Sequence, residues 1–316
     1  MKKIIKLSVA AALAATAMNA AVVDNVKVSG NAKLWYETND SGEGFFDQDK
    51  ASGQVVVNLK ASADVGMIKV NLGNTTATTA ALEKQIVSTS RSGGSTDAET
   101  IETQNFMGIA NLSTTIGGTT LIVGKQTLNT PFVFTEAWNA TANTFDAGVL
   151  VNKGLIPGVT IVLADVKSGN GHKAGGAVSS TDAYANNGST TYNGEFNAID
   201  GTFVQASANI AGVAANASIT ELAGDTYSWI DGTTTVAGAK VTATYAQIDP
   251  ATTLGTTTTD ADTTSAVALK VSTKVAGLDI MAAYSDVSDD NSQANFANLA
   301  TGGKKTKLPT AGVYTD

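Results

Sequence analysis

The sequence contains no cysteine, and histidine occurs once, at His172. The first absence excludes disulfide scaffolds, thiolate metal sites and thiol nucleophiles. The second removes any two-histidine metal site and leaves a Ser-His-Asp triad poorly supplied. Charge is sparse, at 15% of 316 residues, and proline occurs four times. Basic residues number 20 against 28 acidic ones, a net charge of −8, with no basic cluster to track a phosphate backbone. Nucleic acid is therefore not an expected partner. Beyond the first 20 residues there is no apolar run of about 18, so no transmembrane helix is expected. Aromatics are few as well, at 6%.

What is present favours strands. The apolar residues are mostly Ala, Val and Ile, threonine is abundant and leucine is scarce. The opening residues are a separate matter. Lys2, Lys3 and Lys6 form a basic start, residues 4–17 are apolar, and small residues close the stretch, with Ala15-Thr16-Ala17 as an A-x-A site. Residues 1–20 read as an export signal peptide; the rival, a membrane anchor, is short of the length a span requires. Its loss removes three lysines and leaves 17 basic against 28 acidic groups, a net of −11.

Residues 21–316 read as one β domain. Period-two alternation marks strands at residues 26–37, 54–65, 67–73, 105–115, 119–126, 148–155, 159–166, 201–210, 213–221, 229–236, 239–247, 266–275 and 278–285. Short turns with glycine recur between alternate pairs, as at Ala211-Gly212, Ala237-Gly238 and Ala276-Gly277. The intervening connections are longer and rich in Gly, Ser, Thr, Asn and Asp: residues 38–53, 74–104, 127–147, 167–200, 222–228, 248–265 and 286 onward. Strands of about 10 residues, with short turns at one end and long loops at the other, are the pattern of a transmembrane antiparallel β-barrel. A soluble sandwich or a secreted solenoid is the competing all-β reading. Tyr36, Phe106, Phe203, Trp229, Tyr245 and Tyr284 lie near the long-loop ends, as one interfacial girdle would. The short-turn ends carry almost no aromatics.

Alternating charges cannot face lipid cheaply, since a midplane Lys or Arg there costs roughly 2–4 kcal/mol. Lys27, Lys33, Lys60, Asp64, Lys69, Lys125, Lys240 and Lys270 are therefore expected to face a wet lumen. The alternative places them on the outer face of a soluble sheet. Asp40, Glu43, Asp47 and Asp49 cluster in the first loop, and Asp286, Asp289 and Asp290 in the seventh. Such oxygens suit Ca²⁺ or lipopolysaccharide bridged by divalent ions, yet neither cluster has EF-hand spacing, and solvated acidic loops are the plainer reading. The stretch around His172 misses a phosphate-loop spacing by one position and follows no βα unit, so it reads as a loop.

The leader, Val26-Lys27-Val28-Ser29-Gly30, then Gly124-Lys125-Gln126-Thr127-Leu128-Asn129-Thr130-Pro131, and later Lys307-Leu308-Pro309-Thr310 resemble the major outer membrane porin family of epsilonproteobacteria. The resemblance implies a trimeric general-diffusion barrel of about 16–18 strands when complete, of which this chain holds about 13–14. It also implies cation preference and a third long loop folded into the pore. That loop is residues 127–147, whose Glu136 and Asp146 become the candidate pore constriction, with Trp138 and Phe145 between them. A solvated surface loop is the alternative.

The expected function is passive diffusion of ions and small hydrophilic solutes through an outer-membrane porin, weakly cation-selective, with lipid and lipopolysaccharide around a homotrimer. No catalysis and no resident cofactor are expected. A surface adhesin or surface-layer protein, suggested by the Thr-rich residues 252–264, is the alternative, and an enzyme built on a barrel ranks third for want of a nucleophile-histidine pair. Bacterial single-chain barrels hold an even number of strands. Residues 311–315 read as the start of a fourteenth, so the natural chain is expected to continue past Asp316 to an aromatic end.

Overall fold

The computed structural model describes residues 23–38, 51–78, 104–135, 142–170, 197–222, 224–249, 263–288 and residue 296. The period-two segments become β1 (Val23–Thr38), β2 (Ala51–Val65), β3 (Ile68–Thr78), β4 (Gln104–Ile116), β5 (Thr119–Gln126), β6 (Thr144–Asn152) and β7 (Val159–Asn170). The series continues with β8 (Asn197–Ile210), β9 (Val213–Leu222), β10 (Asp225–Val236), β11 (Ala239–Asp249), β12 (Thr264–Val275) and β13 (Leu278–Val287). They form one 13-stranded sheet in sequence order, every neighbouring pair antiparallel. This all-β meander is the architecture expected from the alternation. The export signal of residues 1–20 lies outside the described residues.

The short turns close as their composition requires. Ala211, Ala237 and Ala276 sit at φ 51°, 49° and 50°, each followed by glycine at φ 82–86°. Two consecutive positive φ values match the right-handed twist of the flanking strands, so these two-residue links join strands without splaying them. The broader turn between β6 and β7 is held by Asn152, whose Oδ1 accepts from the N–H groups of Gly154 at 3.1 Å and Leu155 at 2.7 Å.

Most strands run past the alternation, as β3 does to Thr78, β7 to Asn170 and β8 from Asn197, and two of these extensions bear on the site. β6 starts at Thr144, not at residue 148, because Phe145 and Ala147 continue the phase of Val149 and are buried with it. The third connection therefore ends at residue 143, and Asp146 belongs to a strand. Likewise β10 starts at Asp225, and Leu222 pairs directly with it across residues 223–224. The polar run Asp225-Thr226-Tyr227-Ser228 resembles a loop in composition, but Tyr227 is in phase with Trp229. Gly224 at φ 94° permits the tight reversal.

Residues 127–135 divide the sheet into two unlike faces. Leu128, Phe132 and Val133 of this segment share a buried cluster with Phe145, Ala147 and Val149 of β6, Tyr227 and Trp229 of β10, and Ala246 and Ala266 of β11 and β12. The same face also buries Val166, Phe203 and Ile248, and over β1–β4 it carries a polar network. Asn31 Oδ1 accepts from Asn58 Nδ2 at 2.9 Å, Thr75 Oγ1 donates to Asn58 Oδ1 at 2.8 Å, and Asn71 Nδ2 donates to Asn111 Oδ1 at 2.9 Å. The opposite face holds Val28 and Leu34, Leu112, Leu121, Val204, Ile219, Ile230, Val267 and Leu269, all exposed. A sheet with an apolar open face and a hydrogen-bonded polar one inverts the usual soluble arrangement, in which the open face is polar.

Candidate functional site

The site is built where residues 127–135 cross the packed face. The chain leaves β5 at Gln126, whose Nε2 donates to the Ala147 carbonyl at 2.8 Å and so ties the exit to β6. A tight reversal follows around Pro131. Thr130 Oγ1 donates to the Val133 carbonyl at 2.6 Å and accepts from the Val133 N–H at 2.9 Å. The Thr135 N–H donates to the Leu128 carbonyl at 2.8 Å, and Asn129 bridges Phe134. Asn143 Nδ2 donates to the Phe134 carbonyl at 3.2 Å from the returning chain.

An aromatic anchor fixes this reversal. Phe132 is fully buried, with its ring 5.3 Å from Tyr227 and 5.7 Å edge-on to Trp229. Edge-to-face pairs of this kind add about 0.5–1.5 kcal/mol to the burial itself. A segment that leaves the sheet at β5 is thus fastened to β10, five strands away.

Beside the anchor lies a cavity of about 290 Å³ between Asn129 and Pro131 on one side and the β8–β11 wall on the other. The wall presents Gln205, Asn216, Ser218, Asp231, Thr242 and Thr244, with Trp229 at its edge. Asp231 is its charged centre. Its Oδ2 accepts from Trp229 Nε1 at 2.7 Å and its Oδ1 from Asn216 Nδ2 at 3.0 Å. Register explains the convergence: Asp231 stands opposite Asn216 on β9 and Thr244 on β11. Ser218 is 5% exposed, and its Oγ has no hydrogen-bond partner.

The residues singled out in the sequence fall as follows. Lys27 and Lys33 on β1, Lys60 and Asp64 on β2, Lys69 on β3, Lys240 on β11 and Lys270 on β12 all share the face that carries residues 127–135, as register places them. Asp64 accepts from Asn25 Nδ2 at 2.8 Å and pairs with Lys69 at 3.5 Å. Lys125 and Asp146 depart from expectation. They stand opposite each other, Lys125 on β5 and Asp146 on β6, on the other face from Ile122, Gln126 and Phe145. In β5 both phases are apolar, Leu121 and Val123 on one and Ile122 on the other, so alternation alone does not choose a face. Glu136 and Trp138 lie outside the described residues, as do Asp40, Glu43, Asp47, Asp49, Asp289, Asp290 and His172. Among the described residues no three His, Asp or Glu side chains gather as a metal site.

The expected aromatic girdle splits by phase. Tyr245 and Tyr284 are exposed on the apolar face, which Tyr36 shares through its register with Gly53. Phe106, Phe203 and Trp229 are buried on the packed face. Position along a strand suggested the girdle, but strand phase decides the side. Asp231, Asn216 and Ser218 went unnoticed in the sequence. The phase shared by Trp229 and Asp231 was a usable signal there, whereas their meeting with Asn216 depends on the pairing of β9 with β10.

No protein-family model matches the chain, and no curated protein matches it in sequence. Solved structures do match in fold. Pseudomonas aeruginosa OccK8 (OprE) superposes with a TM-score of 0.60 at 11% identity, over 86% of this chain and 70% of its own. The P. aeruginosa outer membrane protein OpdK gives 0.58 at 9% identity, over 84% of this chain and 67% of its own. P. aeruginosa OccK2 (OpdF), in complex with glucuronate, gives 0.54 at 9% identity over 85% of this chain. The chain spans 64% of the OccK2 chain. The likeness establishes the fold, the antiparallel meander of an outer membrane porin barrel.

Proposed function

We propose that this chain forms a passive diffusion channel for ions and small hydrophilic solutes in a bacterial outer membrane. The observation that carries the reading is the inverted sheet: one face largely apolar and exposed, the other crossed by an anchored segment and lined over β1–β4 by hydrogen-bonded polar side chains. Lipid against the first and water against the second satisfies both. Hydrocarbon leaves no unpaired backbone at a sheet edge, so in the membrane the meander closes into a barrel. The porin-type fold supports this, and so does OpdK, which is an outer membrane protein. The signal-like residues 1–20 supply the export route. The closer affiliation, with the epsilonproteobacterial major porins, rests on residues 26–30, 124–131 and 307–310, and with it comes the homotrimer in lipopolysaccharide.

Residues 127–135 form the core of the constriction in this reading, with Glu136 following them. Lys27, Lys33, Lys60, Asp64, Lys69, Lys240 and Lys270 line the lumen. Weak cation selectivity follows from the mature net charge of −11, against which those lysines act. Nothing in the reading calls for catalysis or a resident cofactor, and Ca²⁺ in the acidic loops is an accessory at most.

Planar-bilayer recording of the refolded protein tests it. Stepwise currents are expected, and in a KCl gradient a reversal potential of the sign for K⁺ over Cl⁻. Absence of any current from correctly folded protein overturns the channel and favours the adhesin. Anion preference overturns the selectivity alone and means that the lumenal lysines dominate, since loop charges are screened beyond about 8–10 Å at physiological salt.

A further inference from the structure

The cavity beside Phe132 has a definite chemical character. Its wall is rich in acceptors: the Asp231 carboxylate, the side-chain carbonyl oxygens of Gln205 and Asn216, and the hydroxyls of Ser218, Thr242 and Thr244. Each Asp231 oxygen already takes one hydrogen bond, from Trp229 and from Asn216, which holds the carboxylate in one orientation. A carboxylate oxygen accepts about two hydrogen bonds, so each retains capacity for a further donor. Asn216 and Gln205 are likewise turned, since Asn216 Nδ2 donates to Asp231 and Gln205 Nε2 donates to Ser207 Oγ at 3.0 Å. Their carbonyl oxygens remain available. Ser218 Oγ, nine-tenths buried on this wall and without a partner, is a polar group in want of a ligand.

Charge on the neighbouring elements has one sign at the centre and the other at the rim. Around Asp231, β9 contributes Asn216, β11 contributes Thr244, its own strand contributes Trp229 and Thr233, and residues 127–135 contribute Asn129 and Pro131. None of these is basic. The basic side chains that register brings alongside are Lys270, opposite Thr242 on β12, and Lys240, two residues before Thr242 on the same face of β11. A cavity of about 290 Å³ lies at the small end of the range for ligand clefts, roughly 300–1,000 Å³, and suits a single ring.

Building on the channel reading, we propose that this cavity is a binding subsite for a small hydroxylated primary ammonium compound of the amino-sugar class. The ammonium group pairs with Asp231, its remaining protons reach the Gln205 and Asn216 carbonyl oxygens, and ring hydroxyls meet Ser218, Thr242 and Thr244. Lys270 repels the ammonium from the β12 side, so the charged end of the solute lies toward β9 and β10. A carboxylate sugar such as the glucuronate held by OccK2 is disfavoured by the same carboxylate.

The test uses D-glucosamine as probe on the folded full chain, with N-acetyl-D-glucosamine and D-glucuronate as comparisons. At about pH 6, where the amine is protonated, D-glucosamine is expected to half-block the ion current at roughly a tenth of the concentration the other two require, as a hydrogen-bonded charge pair warrants. D231N abolishes this preference, and K270M strengthens the block. Raising the wild-type protein to about pH 9 neutralises the amine, and the block weakens there. Equal block by all three solutes, or a preference unchanged in D231N with wild-type heat-modifiable mobility, overturns the subsite. Tryptophan fluorescence in detergent, with Trp229 at the cavity edge, separates the two readings. A glucosamine-specific response without any channel current supports the subsite and refutes the pore. Current without amine-selective block or response does the reverse.

Discussion

Among the described residues, three turn alanines carry backbone strain that Asn25 and Asp200, also at positive φ, tolerate better. Ala211, Ala237 and Ala276 hold φ near 50°, where a Cβ crowds the following carbonyl at a cost of about 1–2 kcal/mol. Asparagine tolerates that region and leads the preferences of two-residue hairpin turns with a following glycine. Ala237→Asn is therefore expected to stabilise the folded protein by about 0.5–1 kcal/mol, read as a higher temperature for the shift between folded and unfolded electrophoretic mobility. An unchanged or lower transition temperature refutes the strain. The pair Lys125–Asp146 is the other residue-scale case. Both charges stand in register on β5 and β6, near the long-loop end of the face that carries Leu121 and Val123, where Asp165, Glu221 and Asp249 also lie. A charge left there without its counter-ion costs more than two charges removed together. Lys125→Met and Asp146→Asn are each expected to destabilise, while the double variant recovers part of the loss. A double-mutant cycle in urea with lipid vesicles measures it, and strict additivity sinks the pairing.

At the scale of elements, the segment 127–135 is held by its aromatic anchor more than by its backbone. Its internal hydrogen bonds close only a short reversal, and the Phe132 ring packs on Tyr227 and Trp229. Phe132→Ala removes a fully buried ring, a change that typically costs about 3–5 kcal/mol in a packed core. Since the sheet does not depend on this contact for its register, the loss falls on the segment. The variant is expected to assemble and to show larger, noisier single-channel currents. Conductance and noise equal to the wild type would mean the segment does not narrow the pore. That residues 127–135 leave the strand series was legible in the sequence, through Pro131 and the break in alternation. That they cross to β10 was not, because nothing within nine residues encodes a contact about a hundred positions away.

For the whole molecule, the two faces set the environment. Leu269 lies near the middle of β12, exposed on the apolar face, and neighbouring Lys270 lies on the polar one. Leu269→Lys is expected to reduce folding stability in lipid vesicles by about 2–4 kcal/mol, the cost of a lysine at the bilayer midplane. Lys270→Met on the other face leaves stability within about 0.5 kcal/mol, as substitutions away from packed or paired sites usually do. Equal effects of the two in a urea titration would overturn the lipid-facing assignment. The sequence by itself determined the strand series, the turns, and the phase of strands with one clearly polar side, such as β1 and β2, because a period of two and a glycine turn are local properties of the chain. Tertiary structure decided the rest. β5, apolar in both phases, took its facing from its neighbours, and Lys125 and Asp146 went with it. Phe106, Phe203 and Trp229 turned inward for the same reason. Asp231 acquired Asn216, Thr244 and the cavity only when β9, β10 and β11 came into register, since such a site exists between strands and in none of them alone.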